Sequence, residues 1–432
     1  MQDNPTIRAS LTPRSSQTTR ASLMSSFPPP TEGQVTLANW RTAPFNRWAF
    51  HHVREIVPSA DIPHDPARVW PLGARGGSLE ALRIGVPDGA NSGLDPGLDP
   101  GLDSGLDFGL DDFLAATGTD GIVVLHRGAI VLERYANGMN ERSPHILMSV
   151  TKSMLGLLAA VLSAQGALDV DRLAVDYVPE LRETAWAGAR VGQLLDMRTA
   201  VAFDEDYLAT SGPIVAYRKA TGWNPLEPGE RASDLRSFFS TLTQSNGPHG
   251  GKFSYVSPNT DLLGWIIERA AGRRYSDLMS ELVWQPMGAA EPACITVDRL
   301  GAPRCAGGMC TTTRDLARVG QLIVEGGARG ARQVVPTAWI EDITRNGDTE
   351  AWNAGSFVPY FPGAAMHYRD KWYVERGAAP LLFGLGIHGQ NLFIDRKREI
   401  VIAKHSSQAS PLDADLIALT SRFVSEVRKA LS

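Results

Sequence analysis

Cysteine is nearly absent: the 432-residue chain has three, Cys294, Cys305 and Cys310. The count is odd and no pair is spaced Cys-x-x-Cys, so neither a disulfide framework nor a zinc knuckle is indicated. The three read as reduced thiols, and a cytoplasmic setting fits. Long apolar runs are also missing. No stretch approaches the roughly 18 residues that a membrane helix needs, so no membrane partner is expected. Positive charge is not in excess: 42 Lys and Arg stand against 47 Asp and Glu, for a net charge of -5. That leaves no basic footprint for nucleic acid. The nine histidines are scattered and no His-Glu-x-x-His occurs, so no metal and no cofactor are expected. A Gly-x-Ser-x-Gly elbow is absent too, which argues against a conventional Ser-His-Asp hydrolase.

What remains is ordinary globular composition, 43% hydrophobic and 21% charged, with ample chain for a large core. The first thirty residues are rich in Ser, Thr, Arg and Pro and lack the apolar segment of a secretory signal. Residues 1–35 are expected to form a disordered tail and residues 36–432 a single domain. Between Ser92 and Asp112, Gly-Leu-Asp recurs every four residues. That period matches no known calcium loop and puts no clean face on a helix or strand. It reads as a low-complexity surface loop.

From there the chain is organised. Gly121 to Tyr135 reads as two strands around a turn at His126-Arg127-Gly128. Val150 to Gln165 carries Leu and Ala at helical spacing, with Gly166 as a stop. Shorter helices are expected at Val191–Met197, Asp261–Gly272 and Thr313–Gly326. Asn391 to Ser407 reads as a hairpin turning at Asp395–Glu399, and Pro411–Leu431 as an amphipathic terminal helix. Strands at both ends with helices between predict an α+β fold whose sheet joins N- and C-terminal segments.

Three local patterns carry chemistry. The chain holds one Ser-x-x-Lys, Ser149 and Lys152 in LMSVTKSMLG, at the start of the first long helix. The two lie one turn apart on one face, where unpaired N–H groups and the helix dipole favour a developing oxyanion. Serine needs a base, and lysine serves only when neutral. From a reference near 10.4 that asks for a shift of roughly three units, in the direction burial or a second cation would push. Chance alone also explains such a pair. The second pattern is KFSYVSPNTD, with Tyr255, Ser257 and Asn259 before a helix. Helix capping accounts for Asn259 or Thr260 but not for Tyr255, which can pass a proton to a leaving group. The third is FGLGIHGQ, Phe383 to Gln390. Its glycines imitate a dinucleotide fingerprint, but a hairpin follows rather than a helix. A glycine-rich strand instead lets a substrate approach and presents an N–H to an oxyanion.

Together these segments resemble the serine β-lactamase and penicillin-recognising superfamily, in particular its class C-like branch of esterases and nylon-oligomer amidases. NRWAF at Asn46–Phe50, LMSVTKS, LLDM, DEDY, YVSPNTD, ITVD, CTTTRDLARVG and GIHGQNLFID carry the likeness in order, from about residue 36 onward. The resemblance implies a β-lactamase/DD-peptidase-like fold, with an antiparallel sheet flanked by helices and a mainly helical subdomain. It implies Ser149 as nucleophile, Lys152 as general base and Tyr255 as proton shuttle. The N–H groups of Ser149 and Ile387 would form the oxyanion hole, and Tyr207, Ser257 and Gly386 would contact substrate. The expected partner is a small amide or ester, and a homodimer is compatible with the family.

The departures matter. The third motif reads Gly384-Leu385-Gly386, without the cation that greets a β-lactam carboxylate, and His388 is two residues out of register. Ser257 occupies the position usually held by Asn. Arg218, beside Lys219, would repel a cationic substrate unless it faces solvent. These points keep a carboxylesterase with little amidase activity open as the alternative. A non-catalytic binding protein is disfavoured, because Ser149, Lys152 and Tyr255 are all present.

Overall fold

The computed structural model describes residues 23–77, 79–85 and 107–432. Its centre is an eight-stranded sheet in the order Met366–Arg369, Trp372–Glu375, Leu381–Gly386, Gln390–Asp395, Ile400–Ser406, Thr119–His126, Ala129–Tyr135 and Gly73–Ala74. All neighbours are antiparallel except the last, short pair. The expected union of chain ends is the pairing of Ile400–Ser406 with Thr119–His126, from Ile400 opposite His126 to His405 opposite Gly121.

Both faces of this sheet are covered, as near-continuous apolar strands require. Val123 and Leu125 point into a large core with the helices Val150–Ala164 and Thr313–Val324. Ile122 and Val124 point the other way, toward the helices Leu110–Ala116 and Ala414–Ala430. There Phe113 stacks on Phe423 at 4.4 Å between ring centroids. A second, four-stranded antiparallel sheet runs Ser59–Ile62, Ala293–Thr296, Met309–Thr311 and His145–Ile146. It carries the chain into Ser149. A helical region between residues 173 and 287 completes the α+β architecture. Among the described residues, no helix is long and apolar enough to cross a membrane.

Two details differ from the sequence reading, while the cysteines, free thiols, agree with it. Leu23 and Val35 are already buried, packed in a cluster with Trp40 and Phe50, so the packed chain starts ahead of residue 36. Residues 1–22 lie outside the described residues, as does most of the Gly-Leu-Asp repeat. Its last units are ordered: Asp107–Gly109 pairs with Arg83–Gly85, and Leu110 opens a helix. Asp107 is taken by Arg83 at 2.7 Å. Finally, Cys294 and Cys310 are buried directly opposite each other on neighbouring strands, both as free thiols.

Candidate active site

Ser149 sits at the N-cap of the helix Val150–Ala164. The residue before it, Met148, has a left-handed backbone with φ 44°. Such a conformation costs energy for a residue with a side chain and turns the serine out of the helix start. The glycine strand explains how closely this turn is held. A Cβ on Gly386 would lie 2.6 Å from the Leu147 carbonyl, and one on Gly384 would lie 3.0 Å from Ser153 Oγ. Gly386 is therefore demanded by the turn that carries Ser149, and Gly384 by the helix that follows it. Substrate approach was the sequence-level reason; Gly386 does also line the cleft beside Ser149.

Lys152 is 1% exposed. Its Nζ donates to Ser149 Oγ at 2.9 Å and to the Ala306 carbonyl at 2.7 Å. It lies 4.9 Å from the centroid of the Tyr255 ring. Burial is the main force on its pKa, which falls to about 7; Arg304 pushes the same way, and Glu205 and Asp261 oppose. Tyr255 is buried, with its hydroxyl facing Ser149 and Tyr373. Burial, then the Glu205 charge, raise its pKa above the usual phenol value. It is thus a neutral phenol at neutral pH, suited to hand on a proton and unsuited to act as a phenolate base.

The other expected residues converge on the same place. Ser149, Tyr207, Tyr255, Gly386 and Ile387 line one cleft, whose walls are largely aromatic: Phe357, Tyr360 and Tyr373 among them. Ser257 does not cap its helix in the usual way. Its N–H donates to Glu205 Oε2 at 2.6 Å and its hydroxyl to Glu205 Oε1. Tyr207 donates to Glu205 Oε1 at 3.0 Å. Glu205 thereby ties the loop over the site to the base of the helix Pro258–Ala271. Asn259 is not a cap either. It is fully buried and accepts from Trp186 Nε1 at 2.8 Å.

Arg218 does not face solvent. It is buried, and its guanidinium donates to the carbonyls of Tyr207 at 2.9 Å, Ala209 at 3.2 Å and Asp206 at 3.3 Å. His388 is buried away from the cleft, with Nδ1 2.8 Å from the Gln408 carbonyl oxygen. His145 and His405 stack on each other in the core, 4.7 Å apart. Trp223 reaches the site, and Trp372 is core.

Sequence reasoning missed a buried support. Asp261 Oδ1 accepts the Ala306 N–H at 2.7 Å, fixing the residue whose carbonyl, in the next peptide, receives Lys152. Its other oxygen accepts from Tyr217 at 2.5 Å and pairs with Arg304. Asp261 sits in the second-motif segment, but Arg304 comes from a stretch without a motif. Only the three-dimensional pairing marks it.

A β-lactamase family model matches residues 110–423. Over 406 residues the chain is 34% identical to 6-aminohexanoate-dimer hydrolase of Paenarthrobacter ureafaciens, covering 94% of this chain and 96% of that one. A solved Bacillus anthracis structure named for the same hydrolase superposes with TM-score 0.80 at 26% identity, over 93% of this chain and 97% of that one. A family VIII carboxylesterase shares the fold, with TM-score 0.55 at 16% identity over 74% and 96%. The chain belongs to the β-lactamase family and is a hydrolase similar, over almost its whole length, to 6-aminohexanoate-dimer hydrolase.

Proposed function

We propose that the protein is a Ser-Lys-Tyr hydrolase that cleaves linear amides of the 6-aminohexanoate-dimer type and short carboxylic esters through an acyl-enzyme on Ser149. The observation that carries this is the contact of Lys152 with Ser149 at 2.9 Å, from a lysine whose pKa burial lowers to about 7. Near neutral pH a large share of Lys152 is uncharged and free to take the Ser149 proton as Oγ attacks the carbonyl carbon. The N–H groups of Ser149 and Ile387 receive the oxyanion. Tyr255 gives its proton to the departing nitrogen or oxygen and is reprotonated through Lys152. Water then attacks the ester on Ser149, and the acid leaves. Tyr207, held by Glu205, orients the leaving group. No step calls for a metal or a cofactor.

A second reading, a carboxylesterase with little amidase activity, is favoured by the burial of Arg218 under the Tyr207 loop. A guanidinium at that depth disfavours an ammonium-bearing substrate. Esters also depend less on leaving-group protonation than amides do. The test is amine release from the linear 6-aminohexanoate dimer beside turnover of a short p-nitrophenyl ester, with Ser149→Ala as control. Turnover of both, lost in the variant, supports the amidase. Ester turnover alone selects the esterase. Activity that survives in Ser149→Ala overturns both.

A further inference from the structure

Tyr255 lines the aromatic cleft but not a second recess that adjoins it at Ser149, Tyr207 and Ile387. That recess is lined by Arg41, Arg218, Arg304 and Glu205, with Trp223 among them. Arg41 and Arg304 both lie over the Trp223 ring, at 5.7 and 4.9 Å from its centroid. Cation–π contact of this kind holds guanidinium groups in place without neutralising them.

Along its lining, positive charge outnumbers negative: Arg41, Arg218 and Arg304 stand against Glu205. Arg304 has Asp261 as its partner. Arg41 donates to the Asn224 amide, and Arg218 donates only to backbone carbonyls. Neither has a carboxylate partner among the described residues. Among the described residues Glu205 is the one acid lining the recess; it and Asp206 act on Arg218 through space, while the Glu205 oxygens accept from Ser257 and Tyr207. Nε of Arg41 and Nε of Arg304 are sealed from solvent with no acceptor among the described residues. The strain shows in Arg41, whose pKa falls to about 9 through burial and then through Arg218 and Arg304. Uncompensated buried charge is costly. Planar guanidinium donors are the usual complement of a carboxylate.

The direction of binding follows from Tyr255. If it protonates the leaving group, the leaving group occupies the aromatic cleft and the acyl chain enters the arginine recess. We propose that the recess is a carboxylate subsite for the acyl half, so that the preferred substrate is a half-amide or half-ester of a linear dicarboxylic acid. Its distal carboxylate enters among Arg41, Arg218 and Arg304. Attack by Ser149 forms the enzyme ester and breaks the C–N or C–O bond, whose leaving atom takes the Tyr255 proton. Water then releases the dicarboxylic acid. This rests on the Ser149 acyl-enzyme reading above and replaces the ammonium-bearing acyl half of the 6-aminohexanoate dimer with a carboxylate-bearing one.

The experiment compares kcat/KM for mono-p-nitrophenyl glutarate and adipate with the neutral pentanoate and hexanoate esters and with p-nitrophenyl 6-aminohexanoate. The anionic esters are expected to lead the neutral ones by at least about tenfold, with the cationic ester last. Arg218→Gln and Arg41→Gln should each shrink the anionic-to-neutral ratio severalfold. Should either variant fail to fold, the unaltered enzyme still answers. Adipate should inhibit hydrolysis of the neutral ester more strongly than hexanoate, and the gap should narrow as salt rises. Ser149-dependent turnover with no preference for the anionic esters, or with preference for the cationic one, overturns the subsite and leaves the hydrolase standing. Absence of Ser149-dependent turnover on every ester takes both down.

Discussion

Lys152 Nζ lies 2.9 Å from Ser149 Oγ and 2.7 Å from the Ala306 carbonyl oxygen. The carbonyl cannot donate, so Lys152 spends one hydrogen on it in either protonation state. When neutral, its lone pair is left for the Ser149 proton. Reactivity should therefore follow the uncharged fraction. Since burial brings the pKa to about 7, kcat/KM for an ester should rise with slope one through an acidic limb centred there. The check is a profile from about pH 5.5 to about pH 9. A limb near 4 would implicate a carboxylate base and remove Lys152 from the role.

The same shift has a consequence for stability. The folded-state pKa of Lys152 lies below its unfolded value of 10.5. Between about pH 7 and that value the unfolded chain binds more protons than the folded one, so this group makes stability rise with pH. Against Lys152→Met, wild type should gain as pH climbs from about 7 to about 10, by a few kcal/mol in order of magnitude. Urea unfolding of both proteins at several pH values measures the difference. A gap that stays constant with pH would show that Lys152 is not shifted.

Tyr255 faces Ser149 as a neutral, buried phenol. Its proton matters most when the leaving group is a poor one. Tyr255→Phe should cut amide turnover by about 100-fold or more and p-nitrophenyl ester turnover by clearly less, because p-nitrophenolate departs unprotonated. Parallel single-turnover measurements on one amide and one activated ester decide it. Equal losses would mean that Tyr255 only positions Ser149 or Lys152.

Glu205 favours the charged form of Lys152 while it accepts from Ser257 and Tyr207. Glu205→Gln removes the charge and keeps one of the two accepting oxygens. The acidic limb of the rate profile should then move to lower pH, and KM should rise as the hold on Ser257 and Tyr207 weakens. A limb that stays in place would show that the Glu205 charge is screened from Lys152.

Legibility followed the range of the interactions. Ser149, Lys152 and the helix they open were readable because a turn of helix fixes their relation within four residues. The hairpin Gln390–Asp395 with Ile400–Ser406 was readable for the same reason: alternation and a charged turn are local. The glycine strand is legible as special, but one of the neighbours that needs Gly386 bare, the Leu147 carbonyl, is not, because it lies far away in sequence. Asn259 reads as a cap since that chemistry is local too. Burial, with Trp186 Nε1 donating to its side chain, overrides it. Arg218 and Arg304 could not be placed at all. An arginine in sequence reads the same whether it faces water or a sealed recess.

Asp261 is where support and chemistry meet. It holds the Ala306 N–H at 2.7 Å and pairs with Arg304, a residue 7% exposed. Removing one partner of a buried pair strands the other, at a cost of about 3–5 kcal/mol. Asp261→Ala should therefore lower the melting temperature sharply. Asp261→Asn keeps an acceptor for Ala306 and should retain more stability and more activity. Because the Asp261 charge raises the Lys152 pKa, Asp261→Asn should also shift the acidic limb to lower pH. A merely structural aspartate would move the melting temperature and leave the limb where it was. Stability from thermal unfolding and the limb from the rate profile separate the two roles. If Asp261→Asn proves as active as wild type with an unmoved limb, the path from Arg304 through Asp261 and Ala306 to Lys152 carries packing alone.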